Sequence, residues 1–97
     1  MTDGIPDNVL VREVEIINKK GLHARATAKF VQCADGFDAE ITVTRSGETV
    51  GGTSIMGILT LGAGIGSKII LTAKGPDAEM SLAALEALIT NRFGEEE

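Results

Sequence analysis

Tryptophan and tyrosine are absent from this 97-residue chain; phenylalanine occurs three times, and cysteine and histidine once each. One cysteine, Cys33, excludes an internal disulfide, and with a single histidine it falls short of the usual zinc ligand set. No metal or organic cofactor is implied. With so few aromatics the core is expected to come from Val, Ile, Leu, Met and Ala. The surface also lacks the stacking platforms that single-stranded nucleic acid uses. A net charge of −5 argues against a surface built on phosphate-backbone contacts. No apolar run approaches membrane-spanning length. Residues 1–7 are polar, contain Gly4 and Pro6, and show no secretory h-region. The composition therefore predicts a soluble cytoplasmic protein that binds neither nucleic acid nor membrane.

What the chain does contain is one domain's worth of alternating and helical patterns. Residues 1–8 read as a flexible leader, 9–94 as the folded domain and 95–97 as an acidic tail. Val9 to Ile17 predicts a strand with Leu10, Val14 and Ile16 on one face and Arg12 as the exception. A helix is expected from Ala24 to about Asp35, with Ala26, Phe30, Cys33 and Ala34 sharing a face and Gly36 as a left-handed stop. Residues 39–44 and 48–51 read as a hairpin closed at Arg45-Ser46-Gly47-Glu48. Ser54 is a favourable N-cap for a short helix over Ile55–Leu61. Ser67 to Ala73 predicts a central strand. Pro76 suits the first position of a last helix, with Met80, Ala83, Ala84, Ala87 and Leu88 inward and Leu85 and Ile89 widening that face. The order is β-α-β-β-α-β-α, an α+β domain whose natural packing puts the helices on one face of a single sheet.

The most informative stretch is Gly21-Leu22-His23-Ala24-Arg25-Ala26. It sets the only imidazole at the start of a helix, after the polar loop Asn18-Lys19-Lys20-Gly21. First-turn amides lack intrahelical partners and, with the helix dipole, favour an anion at that spot. A phosphate on His23 would meet the backbone N–H groups of Ala24 and Arg25, and the Arg25 guanidinium would add charge-assisted hydrogen bonds. A neutral ring nitrogen is nucleophilic near neutral pH. The residue pattern thus suits accepting and passing on a phosphoryl group.

Gly21-Leu22-His23-Ala24-Arg25 resembles the active-site signature of the HPr family, the histidine-containing phosphocarriers of the bacterial phosphotransferase system. A second family-like segment, Thr53-Ser54-Ile55-Met56-Gly57-Ile58-Leu59, follows at the expected distance, and the likeness spans about Leu10 to Phe93. The resemblance implies an open-faced β-sandwich, a four-stranded antiparallel sheet with three helices on one face. It implies phosphorylation of His23 at Nδ1, a choice the residues alone leave open. It implies Enzyme I as donor and an Enzyme IIA histidine as acceptor, with the chain a monomeric carrier and not an enzyme. Ser54 matches a serine modified by HPr kinase/phosphorylase in some lineages, and a plain N-cap is its other reading. Ile55, Met56 and Leu59 are implied as an exposed docking patch, with Ile58 and Leu61 turned inward. Two positions depart from the common pattern: Ala26 stands where many relatives have proline, and Ala24 where threonine is frequent. Sugar uptake and nitrogen-related signalling both remain open as the pathway. The rival from another class is a regulatory binding module in which His23 phosphorylation is incidental; a small RNA-binding domain is a distant third.

Overall fold

The computed structural model describes residues 9–97; the expected leader, residues 1–8, lies outside the described residues. The elements are β1 (Leu10–Glu15), α1 (Ala24–Asp35), β2 (Glu40–Arg45), β3 (Glu48–Gly51), α2 (Ile55–Thr60), β4 (Lys68–Lys74) and α3 (Ala78–Thr90), followed by a 3₁₀ turn over Arg92–Gly94. All pairings are antiparallel, in the order β1-β4-β2-β3. β4 is central, as its apolar run suggests, whereas the order of its neighbours follows from no single segment. The β2–β3 turn is Ser46-Gly47, both at positive φ (52° and 83°), as a two-residue hairpin of matched twist requires.

Alternation explains the two faces of the sheet. Val14, Ile16, Ile41, Val43, Ile69, Leu71 and Ala73 point into the core, while Val11, Glu13, Glu15, Glu40 and Ile70 point to solvent. Arg12, on the inward face, reaches the edge of the core and pairs with Glu86 of α3 at 2.9 Å. On the open face Thr42 and Thr72 join hydroxyls across neighbouring strands, as do Thr44 and Thr49.

Several expectations need correction. Phe30 and Phe93 are fully buried in the core, whereas Met56 and Met80 are 70% and 61% exposed, so neither described methionine contributes to it. Gly36 has φ −82° and is not left-handed; α1 closes instead with tight bonds from Gly36 to Cys33 and from Phe37 to Ala34, which need no positive φ. Pro76 precedes α3, which begins at Ala78 after Asp77. The inward face of α3 is Ala78, Ser81, Leu82, Leu85 and Ile89; Met80, Ala83 and Ala87 lie outside, and Ala84 and Leu88 are half-buried. Alanines on every side give this helix little contrast, and the large residues at i, i+3 and i+7 (Leu82, Leu85, Ile89) decide its rotation. Cys33 is half-buried against the core, and desolvation pushes its thiol pKa up, as suits an unreactive packing residue.

Candidate functional site

The loop before α1 is fastened at several points. Gly21 turns at φ 66° and donates to the Asn18 carbonyl, Leu22 donates to the Ala63 carbonyl, and the buried Thr27 hydroxyl donates back to the Leu22 carbonyl. These bonds deliver His23 in extended geometry (φ −75°, ψ −178°) as the N-cap of α1. Caps are usually Ser, Thr, Asp or Asn oxygens. Here the cap acceptor is imidazole Nδ1, which takes the backbone N–H of Arg25 at 3.3 Å. The ring is about a quarter exposed, with Nδ1 at the open mouth of the helix.

The other ring nitrogen faces Glu95, a residue of the expected acidic tail. Glu95 Oε2 lies 2.5 Å from His23 Nε2, and Glu95 Oε1 accepts from Asn18 Nδ2 at 3.1 Å. The route back to the site is set by Arg92, Phe93 and Gly94, which all adopt positive φ. Phe93 is buried in the core and its carbonyl accepts from Lys29 Nζ at 2.6 Å. Beyond Glu95, the Glu97 carbonyl accepts from the Lys19 backbone N–H. The hydrogen bond from His23 holds the Glu95 carboxyl below the usual carboxylate range; the Asn18 hydrogen bond and the Lys20 charge act in the same sense against partial desolvation. The surrounding hollow is lined by Lys19, Lys20, Ala24 and Arg25 on one side and Glu95 to Glu97 on the other.

Arg25 is exposed, and among the described residues its guanidinium makes no ion pair or side-chain hydrogen bond. It is therefore available to an anion arriving at His23. Ala24 is exposed beside it. Ser54 is the N-cap of α2, its Oγ accepting from Gly57 N–H at 3.1 Å. A Cβ at Gly57 would come within 2.8 Å of that Oγ, so the glycine that weakens the helix propensity also makes room for the cap. Ile55 and Met56 are exposed and Leu59 is half-buried, while Ile58 and Leu61 are buried. α2 packs on α1, placing both caps in one helical layer. Among the described residues no group of three or more His, Cys, Asp or Glu side chains is placed to hold a metal ion, and no helix is long and apolar enough to cross a membrane.

An open four-stranded sheet backed by three helices, with its one histidine capping the first of them, defines a small α+β histidine-bearing domain. The family model for the PTS HPr component phosphorylation site matches residues 10–91. The chain belongs to the HPr family of phosphocarrier proteins of the phosphotransferase system. It is 51% identical over 89 residues to the phosphocarrier protein HPr of Cupriavidus necator, covering 92% of this chain and all of the relative. It is 44% identical to the phosphocarrier protein NPr of Shewanella violacea, covering 89% of this chain and 94% of the relative. The crystal structure of HPr-C-His from Thermoanaerobacter tengcongensis superposes with a TM-score of 0.88 at 44% identity, covering 91% of this chain and 99% of that one.

Asn18 and Glu95 are the site residues that sequence reasoning missed. Asn18 sat in a polar loop and Glu95 in a run of three glutamates, with no spacing to link them. A polar residue directly after an apolar strand was the one available signal for Asn18.

Proposed function

We propose that His23 is the phosphoryl acceptor and donor of this carrier, taking the group at Nδ1 from phosphorylated Enzyme I and passing it to a histidine of an Enzyme IIA protein in the cytoplasm. The observation that supports it is Nδ1 at the mouth of α1, already accepting a first-turn N–H. The Nδ1 lone pair attacks phosphorus, the donor's N–P bond breaks, and its electron pair returns to the donor imidazole. The new phosphate replaces the ring nitrogen as acceptor for the Arg25 amide, meets the Ala24 amide beside it, and is reached at its remaining oxygens by the Arg25 guanidinium. The chain is a co-substrate with no turnover reaction of its own. Ile55, Met56 and Leu59 serve as the docking patch, since two of them expose large apolar side chains beside the cap Ser54. Phosphorylation of Ser54 by HPr kinase/phosphorylase would regulate that docking. The experiment is incubation with Enzyme I and phosphoenolpyruvate: the wild type takes acid-labile, base-stable label and His23→Ala takes none. Acid-stable label, or full labelling of His23→Ala, overturns the assignment.

A further inference from the structure

We infer that Glu95, held in place by Asn18, is a positioning residue that fixes the His23 imidazole as its Nε2–H tautomer and so directs the phosphoryl group to Nδ1. This rests on the carrier reading of His23 given above.

The two ring nitrogens meet partners of opposite kind. A backbone N–H only donates, so the bond from Arg25 requires a lone pair on Nδ1. An ionised carboxylate only accepts, so the 2.5 Å contact with Glu95 Oε2 requires the proton on Nε2. Glu95 is in turn oriented by Asn18, whose side chain is fully buried. Asn18 Nδ2 donates to the Gly21 carbonyl at 2.9 Å and to Glu95 Oε1 at 3.1 Å. Turning the amide over would aim its oxygen at two acceptors, so the donor end is committed to this side. Its Oδ1 has no hydrogen-bond partner among the described residues, a cost the buried site carries to keep the amide there. The chain Asn18–Glu95–His23 has the logic by which a carboxylate sets the tautomer of a ligating or catalytic histidine.

The same carboxylate balances charge during transfer. Attack by the neutral ring leaves phosphorus on Nδ1 and the proton on Nε2, a formally cationic ring. Glu95 supplies one negative charge at Nε2, and no proton has to leave. When the phosphoryl group departs, the N–P electron pair returns to Nδ1 and the ring is neutral again. The other charged groups facing the hollow are Lys19, Lys20, Arg25, Glu96 and Glu97; among the described residues Glu95 is the one whose charged side chain bonds to the ring.

The test uses the ¹⁵N-labelled full chain and its Glu95→Gln variant. Glutamine has one accepting atom; if Asn18 keeps it, the amide NH₂ faces Nε2 and favours the opposite tautomer. Ring ¹⁵N shifts should show a lone pair on Nδ1 and a proton on Nε2 in the wild type, and a mixed or reversed pattern in Glu95→Gln. Transfer from phospho-Enzyme I should lose about tenfold in kcat with KM within about twofold. Glu95→Ala should behave likewise, with the melting temperature showing that both variants are folded. A wild-type ring protonated on Nδ1, or unchanged ring shifts in Glu95→Gln whatever its kcat, overturns the inference. Ring shifts are read without any transfer, so an unlabelled wild type would overturn the carrier reading alone and leave the tautomer result standing.

Discussion

A Cβ at Gly21 would lie 2.6 Å from the Ala63 carbonyl oxygen and 2.7 Å from the Gly64 Cα. That same oxygen accepts the Leu22 N–H at 2.9 Å. The segment leaving α2 is thus pressed directly against the loop that presents His23. The proposed docking helix and the proposed phosphoryl residue share one rigid frame, joined where a side chain has no room.

Gly21→Ala should therefore damage both stability and transfer. The residue sits at φ 66°, and the obstruction is backbone, which cannot rotate away. Left-handed geometry for alanine costs ~1–2 kcal/mol and the clash adds to it, so urea denaturation should show a loss of about 2–4 kcal/mol. The folded fraction should accept phosphate more slowly, because His23 follows the loop. Wild-type stability in this variant would show that the close approach relaxes freely.

Arg25→Ala should do the reverse. The side chain is exposed and, among the described residues, makes no ion pair, so removal should leave the melting temperature within about 2 °C. A charge-assisted hydrogen bond of ~1.5–3 kcal/mol, formed fully only in the transition state, corresponds to roughly ten- to a hundred-fold in transfer rate. Stopped-flow transfer from phospho-Enzyme I checks it, and unchanged kinetics would remove Arg25 from the site.

Acid should undo the Glu95 contact. Its folded-state pKa lies below the ordinary value of 4.5, so the bound form takes up its proton later than the unfolded chain does. The sign is that of a depressed carboxylate: the contribution is complete above 4.5 and is lost as pH falls through the lowered folded value. The melting-temperature difference between wild type and Glu95→Gln should shrink as pH falls from about 4.5 toward about 2. A difference undiminished at about pH 2 would contradict the contact.

The elements were largely legible because their signals are local. Alternating Ile41 and Val43 mark β2, the apolar run Ile69-Ile70-Leu71 marks β4, Ser46-Gly47 marks the hairpin, and Ser54 marks the start of α2 within a residue. Strand order was not legible, since it depends on which apolar faces meet and not on any one segment. The rotation of α3 is not legible from its pattern, because Ala83, Ala84 and Ala87 are apolar yet contribute little area. At the site, His23 and Arg25 announce themselves by a helix start with an imidazole in it. Asn18 and Glu95 do not: their 77-residue separation is closed only by the turn at Arg92, Phe93 and Gly94 and by burial of the Phe93 ring. Phe93 at φ 55° breaks the expectation for a bulky residue, and core burial is what holds it there.

Ser54 offers the last test, because its side chain is both a cap and the edge of an apolar surface. A phosphate on Ser54 would add about −1.5 to −2 charges beside the first amides of α2, a place that tolerates negative charge. The fold should therefore survive. The effect should fall on partners that dock over Ile55, Met56 and Leu59, which would meet a solvated dianion at the rim of an apolar contact. Ser54→Asp carries about half that charge and keeps a cap acceptor. It should raise the apparent KM for phosphoryl transfer from Enzyme I several-fold, with a native circular-dichroism spectrum. Met56→Glu should do the same without any phosphorylation, since Met56 is 70% exposed and its replacement disturbs no core packing. Wild-type kinetics in both variants would show that Enzyme I docks elsewhere, and Ser54 would then be an N-cap alone.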